Sequence, residues 1–154
     1  MNDATPINDT APVVRTIEVR APVEKAFRVF TEEMGHWWPF KEHSVYLEDA
    51  ETAVFEPRVG GRVIERSVTG DEASWGDVLE FEPPVRFVLA WRPNTRRPST
   101  RLEVTFTPTA SGTRVELIHT GWELLGDDAA DVRSSYNEGW VSTLEHYAGA
   151  AEGR

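Results

Sequence analysis

The hydrophobic pattern changes period early in the chain. Between residues 13 and 19, apolar and polar residues alternate, which predicts a half-buried β-strand. Over residues 23–34 the apolar residues recur at helical spacing, and Pro22 suits the first position of this helix because it lacks an N–H group. Gly35 is predicted to end the helix.

Six short segments, each bounded by proline or glycine, follow a connection at residues 36–50 that is irregular or partly helical and rich in aromatic residues. The segments span residues 51–56, 61–68, 74–82, 85–91, 100–107 and 113–120. Short strands with turn residues between them favour antiparallel hairpins over βαβ crossovers, which need a helix between strands. With the first strand, they predict a seven-strand antiparallel sheet.

A helical period returns from Asp128 to Ala151. One face of this segment carries large apolar residues: Val132, Tyr136, Trp140, Leu144, Tyr147 and Ala151. Gly139 inside it costs ~1 kcal/mol relative to alanine, so another group is expected to approach the backbone there. The fold class is therefore α+β, with a long C-terminal helix across a curved sheet and a cavity between them.

Charge and composition limit the kinds of partner that the protein can have. The 154 residues include 26 acidic and 16 basic side chains, giving a net charge of -10, and no cysteine. These numbers exclude disulfides and thiolate metal sites, and they argue against nucleic acid or an anionic membrane as partner. Without an apolar stretch that could insert in a membrane, the protein is expected to be cytoplasmic. Residues 1–12 are expected to form a disordered tail and residues 13–151 a single domain.

The aromatic content is high for an otherwise polar chain, with six Trp, seven Phe and three Tyr. The residues in question are Trp37, Trp38, Phe40, Trp75, Trp91, Tyr136 and Trp140. Each alone is better explained as core, whereas the set favours a partly open cavity with flat apolar walls and a few N–H and O–H groups for a ligand.

Three polar residues are candidates for chemistry in that cavity. His119 shares a face with Val115 and Leu117, so it points inward, where it could orient a ligand or accept a proton. The alternative is a core histidine bonded to a backbone group or a glutamate. Glu65 is its predicted partner, because an inward carboxylate must be paired. Asp77 falls on the face of Trp75, although the neighbouring apolar Val78 leaves that assignment open.

Several strings of sequence carry a family resemblance. In order they are VRTIEVRAPVEKAFRVFT, GHWWPF, FEPRVGGRVIE, WGDVLEFEPPVRFVLAW, GTRVELIHTGW and EGWVSTLEHY, over about residues 13–150. They resemble the START-like and pollen-allergen-like helix-grip superfamily (SRPBCC), and within it the bacterial proteins related to the activator of the Hsp90 chaperone ATPase. The resemblance implies the helix-grip fold. It implies less about function, since that superfamily includes lipid and hormone carriers, polyketide cyclases and chaperone partners.

The leading functional hypothesis is binding of a lipid-like or polyketide-like small molecule between the sheet and the C-terminal helix, without a cofactor, by a monomer or weak homodimer. The predicted ligand-binding residues are Trp38, Phe40, Val63, Glu65, Trp75, Asp77, Trp91, His119, Tyr136 and Trp140. One alternative is an interaction protein that modulates a chaperone ATPase. Another is a polyketide cyclase or aromatase, for which His119 with Glu65 or Asp77 is the candidate acid–base group.

The sequence contains two further clusters of polar residues, one of histidines and glutamates and one of arginines. His36 and His43, with Glu42 and Glu48 nearby, lack the ligand spacing of a zinc site, so no metal is expected. The loop WRPNTRRPSTR at residues 91–101 is a basic island in an acidic protein. It is either a solvated hairpin tip or a gate that favours an anionic ligand or an acidic partner.

Overall fold

Seven antiparallel strands form one curled sheet in the computed structural model, which describes residues 10–154. The strands are β1 (Val13–Val19), β2 (Ala50–Phe55), β3 (Arg62–Ser67), β4 (Glu72–Glu82), β5 (Arg86–Trp91), β6 (Thr100–Thr109) and β7 (Gly112–Thr120). Their order in the sheet is β1-β7-β6-β5-β4-β3-β2, so β1 and β2 are the edges. The predicted meander is confirmed, because β2 to β7 each pair with their neighbours in sequence.

Three α-helices cover the sheet: α1 (Val23–Glu32), α2 (Met34–Trp37) and α3 (Ala129–Ala151), with 3-10 segments at Leu47–Asp49 and Trp122–Asp128. The long C-terminal helix is confirmed. The prediction that Gly35 ends the first helix is wrong, because α1 ends before Glu33 and Gly35 lies inside α2. Gly35 allows α2 to lie directly on β2. A side chain there would meet the Thr52 hydroxyl and the Ala53 carbonyl oxygen.

The inner face of the sheet is apolar on almost every strand. In β7, Val115, Leu117 and His119 are all fully buried, which confirms that His119 points inward. Strand β4 is different, because its pairing shifts register between Val63 and Ile64 of β3 and again between its own Val78 and Glu80. These bulges place both Trp75 and Val78 inside and leave Asp77 exposed, so the predicted inward position of Asp77 is wrong.

The core divides into a phenylalanine half and a tryptophan half. Six of the seven phenylalanines pack in edge-to-face or tilted pairs, with ring centroids 5.0 to 6.2 Å apart: Phe27, Phe30, Phe55, Phe81, Phe87 and Phe106. Tyr147 of α3 closes this half against Phe30, at 4.8 Å. Solid packing of rings is typical of a structural core. The other half, which contains Trp38, Trp75, Trp91 and Trp140, borders open space.

The predicted N-terminal tail lies mostly outside the described residues. Where it enters them, Arg133 of α3 donates hydrogen bonds to the carbonyl oxygens of Ala11 and Pro12, at 2.6 and 3.2 Å. Within residues 10–154, no helix combines the length and apolar character needed to cross a membrane.

The close approach of α2 to β2 predicts opposite effects for two glycine substitutions. Gly35→Ala is expected to lower the free energy of unfolding by about 1–3 kcal/mol, because the added methyl group overlaps β2. Gly149→Ala in α3 faces open space and is expected to raise it by about 0.5–1 kcal/mol. Urea unfolding of both variants measures the difference. A Gly35→Ala variant as stable as the parent would contradict the described contact.

Candidate ligand-binding cleft

A cleft of about 770 Å³ opens at the tryptophan end of the molecule. The inner face of the sheet supplies one wall through Trp75 and Trp91, and the N-terminal half of α3 supplies the opposite wall. Two segments form the rim: the connection at residues 42–45 and the loop at residues 93–97. Its lining residues are Trp38, Glu42, His43, Ser44, Val45, Trp75, Trp91, Pro93, Asn94, Thr95, Arg96, Arg97, Asp131, Val132, Ser135, Tyr136, Gly139, Trp140 and Thr143.

Four tryptophans form the apolar walls. Trp38 packs on Trp75 with ring centroids 4.7 Å apart, and Trp91 lies 5.8 Å from Trp75 and 5.9 Å from Trp140. All four are at least nine-tenths buried. Their rings support one another, so the walls are held in place before any ligand arrives.

Every indole N–H group in the protein already has a protein acceptor. The pairs around the cleft are Trp38 with the His43 carbonyl oxygen (2.6 Å), Trp75 with Glu65 (2.9 Å), Trp91 with the Tyr136 hydroxyl (3.0 Å) and Trp140 with His119 Nδ1 (3.1 Å). Trp37 and Trp122 donate to the carbonyl oxygens of Val29 and His119. The predicted N–H groups for a ligand are therefore not available, and the tryptophans offer it only their faces.

Glu65 is fully buried and ties three parts of the site together. Its carboxylate accepts hydrogen bonds from the backbone N–H groups of Val45 (2.8 Å) and Tyr46 (2.9 Å), and from Trp75 Nε1 (2.9 Å). A buried carboxylate is costly unless donors surround it, and here the donors come from the rim and the wall of the cleft. The predicted contact between Glu65 and His119 is wrong, because each side chain has other partners.

His119 belongs to a directed chain of hydrogen bonds. Because Nδ1 accepts from Trp140, the proton of the neutral ring is on Nε2, which donates to Thr100 Oγ1 at 2.7 Å. Thr100 donates in turn to the Trp91 carbonyl oxygen at 3.2 Å. Burial lowers the pKa of His119 to about 3. Both nitrogens are occupied and the ring does not line the cleft, so His119 is a structural core histidine that orients Trp140.

The structure separates the ten predicted ligand-binding residues into two groups. Five line the cleft: Trp38, Trp75, Trp91, Tyr136 and Trp140. Five lie elsewhere: Phe40, Val63, Glu65, Asp77 and His119. Phe40 packs behind Trp75, Val63 and Glu65 are buried beneath the wall, and Asp77 is on the outer face. The acid–base group proposed for the cyclase alternative is therefore not assembled.

His43 is the main cleft residue that the sequence reasoning missed. Its place in the sequence, near His36, Glu42 and Glu48, indicates only a possible metal ligand, yet its ring lies against Gly139 of α3, 3.2 Å from where a side-chain carbon would be. The predicted close approach at Gly139 is thus confirmed, and it was the available signal. Among the described residues, no group of three or more His, Asp or Glu is arranged to hold a metal ion.

The basic island separates into two parts. Arg96 and Arg97 line the rim, where Arg97 lies 3.9 Å from Asp128. Arg101 instead pairs with Glu80 and Glu103 on the outer face of the sheet, at 3.8 and 3.2 Å. Because Glu42 and Asp131 also line the cleft, its rim is not uniformly basic.

Comparison with known proteins identifies a family whose sequence pattern this chain matches. The sequence model of a family described as "Activator of Hsp90 ATPase homolog 1-like protein" matches residues 20–151. No curated protein matches the chain.

Solved structures are similar over most of the chain. Protein MLL2253 from Mesorhizobium loti is 22% identical, with 90% of this chain and 94% of that chain covered and a TM-score of 0.64. Protein BH1534 from Bacillus halodurans is 18% identical, with coverage of 92% and 97% and a TM-score of 0.67. The anthrahydroquino-gamma-pyrone synthase Txn09 is 34% identical, with coverage of 85% and 90% and a TM-score of 0.57. The first two show a shared fold.

The buried carboxylate predicts that Glu65→Gln is destabilising. The amide nitrogen would face an N–H donor in place of an oxygen, so we expect a loss of about 2–4 kcal/mol in the free energy of unfolding. Glu72→Gln is the control, because Glu72 makes an exposed ion pair with Arg66 that contributes about 1 kcal/mol or less. Urea unfolding measures both variants. Equal losses would show that Glu65 does not tie the rim to the sheet.

The lowered pKa of His119 predicts a loss of stability in mild acid. Below pH 6.5 the unfolded chain binds a proton at this residue while the folded protein, with its pKa of about 3, does not. Stability is therefore expected to fall by on the order of 2 kcal/mol from pH 7.5 to pH 5 through this residue. Unfolding at both pH values, for the parent and for His119→Gln, isolates the effect. If the variant shows the same pH dependence as the parent, His119 is not the cause.

Proposed function

This chain belongs to the family of Activator of Hsp90 ATPase homolog 1-like proteins, and from that premise we propose that it binds a flat, largely apolar small molecule in the cleft between the sheet and α3. The ligand class is a polycyclic aromatic compound of the polyketide type. The observation that carries the proposal is the set of four indole faces with no free N–H group.

Flat walls favour a flat ligand. Aromatic rings stack or meet edge to face at the separations found between these tryptophans, and a ring inserted among them gains dispersion and quadrupole contacts together. A cleft of about 770 Å³ also lies within the size range typical of small-molecule sites. Since the indole N–H groups are all occupied, binding depends on area and shape.

The chaperone-directed alternative is less well supported by this geometry. A protein that acts only through its outer surface does not need an open space with aromatic walls. Filling that space with packed side chains would make such a protein more stable. The cleft therefore favours a small-molecule ligand.

A second candidate is an enzyme that closes rings in an aromatic polyketide. The observation that favours it is the 34% identity with the synthase Txn09 over 85% of this chain. Its acid–base group would have to come from the cleft rim, since His119 and Glu65 are fully engaged and Asp77 lies on the outer face. Mass spectrometry of a bound polyketide before and after incubation distinguishes conversion from binding alone.

Two adjacent serines on α3 allow a matched test of the cleft. Ser135 lines the cleft whereas Ser134 does not, and both are exposed. Ser135→Trp is expected to fill the cleft and weaken binding of anthraquinone by roughly tenfold or more, while Ser134→Trp leaves it within about twofold. Quenching of tryptophan fluorescence, with isothermal titration calorimetry as the check, measures the affinities.

The proposal is contradicted if Ser135→Trp and Ser134→Trp bind the probe equally well. It also fails if the parent protein binds neither anthraquinone nor any related polycyclic probe.

A further inference from the structure

Two polar groups of the cleft have hydrogen-bonding capacity that no other residue in the described part of the chain uses. The Tyr136 hydroxyl accepts from Trp91, and among residues 10–154 nothing accepts its own proton. Neither ring nitrogen of His43 is hydrogen-bonded to another described residue. Both residues line the cleft, so a ligand that occupies it can use this capacity.

Both groups lie at one face of α3, because Tyr136 belongs to that helix and the His43 ring packs on it. The His43 ring lies against Gly139, which follows Tyr136 by three residues, and positions three apart are neighbours on a helix, with about 5–6 Å between their Cβ atoms. Trp140, one of the four tryptophan walls, follows Tyr136 by four residues, and the two rings lie 6.1 Å apart between centroids. The polar groups therefore lie beside an aromatic wall, near the edge of a ring stacked on it.

His43 is held in place from both sides. Its carbonyl oxygen accepts from Trp38 and its N–H donates to the Pro39 carbonyl oxygen. The two residues after Ser44 are bonded to the buried Glu65. Gly139 leaves the space that the ring occupies. Such a fixed imidazole can bind a ligand atom with little ordering cost.

Burial raises the pKa of Tyr136, so its hydroxyl keeps its proton and acts as a donor. A neutral imidazole offers one donor and one acceptor. The complement of this pair is a carbonyl oxygen facing the phenol and a hydroxyl group facing the imidazole.

We infer that His43 and Tyr136 form the polar end of the cleft and bind the edge of a planar aromatic ligand that carries a hydroxyl group and a carbonyl group about one helical turn apart. This inference rests on the proposed function and names the ligand class more closely: a phenolic ketone or hydroxyquinone. The tryptophans supply the stacking surface, and His43 and Tyr136 fix the orientation of the ligand within the plane of its rings.

Three probes with one ring skeleton test the inference. In 2-hydroxyanthraquinone the hydroxyl group is meta to one carbonyl group and para to the other, too far from either to form an internal hydrogen bond. Anthraquinone lacks the hydroxyl group, and 2-hydroxyanthracene lacks the carbonyl groups. Affinities are measured by calorimetry for the parent, His43→Phe, Tyr136→Phe and the control His146→Phe, whose exposed histidine on α3 lies outside the cleft.

The expected result is selective. His43→Phe weakens 2-hydroxyanthraquinone by roughly three- to tenfold and leaves anthraquinone within about twofold, because only the hydroxyl group uses His43. Tyr136→Phe weakens both carbonyl-bearing probes by a similar factor and leaves 2-hydroxyanthracene within about twofold. His146→Phe changes none of them.

Two outcomes overturn the inference, and they are distinguishable. If the parent binds all three probes but each variant changes all of them equally or not at all, the polar pair is wrong and the aromatic cleft stands. If the parent binds no probe, the proposed function falls and the inference falls with it.

Discussion

The cleft depends on the three hydrogen bonds that the buried Glu65 carboxylate accepts from N–H donors. The carboxylate belongs to β3, two of its donors are the backbone N–H groups of Val45 and Tyr46 in the connection beside the cleft, and the third is on Trp75. A charge without water must be surrounded by donors, so these elements cannot separate without exposing an unsatisfied group in the interior. Residues 42–46 contain no helix or strand, and these hydrogen bonds give that part of the connection a fixed position. His43 and Trp38, which belong to the same connection, take their places from it.

The same requirement, that a buried polar group must have a hydrogen-bond partner, explains why the core has two different halves. Phenylalanine carries no polar atom and can be packed wherever volume must be filled, as it is between α1 and the sheet. Tryptophan carries an N–H group that must find an acceptor when buried. Each tryptophan has one, and the acceptors come from rim, sheet and helix in turn. The tryptophan half is therefore fixed by hydrogen bonds, which allows it to border an open space without collapsing into it.

The sequence predicts the fold well because the hydrophobic period and the positions of proline and glycine are local properties of the chain. The seven strands, the long C-terminal helix and the inward side of β7 follow from alternation, proline and glycine. The site is predicted in part. Trp38, Trp75, Trp91, Tyr136 and Trp140 line the cleft, whereas Asp77 does not, because two bulges in β4 shift its side chain to the outer face. A bulge depends on how a neighbouring strand pairs, which periodicity does not record. The pairing of Glu65 was missed for a related reason: its partners are backbone N–H groups of an irregular segment. Gly139 did carry a signal for His43, but a close approach does not say which side chain makes it.

The full use of the indole N–H groups has a consequence for how selective such a cleft can be. Aromatic faces hold a flat molecule in one plane but do not prevent it from spinning within that plane. Compounds of one thickness and different outlines would be accepted alike, and only contacts at the perimeter would give each a single rotational setting. The aromatic walls therefore decide which shapes can bind, and the residues at the perimeter decide how a bound compound is oriented. A few substitutions along the rim would change the preferred compound without altering the stacked walls.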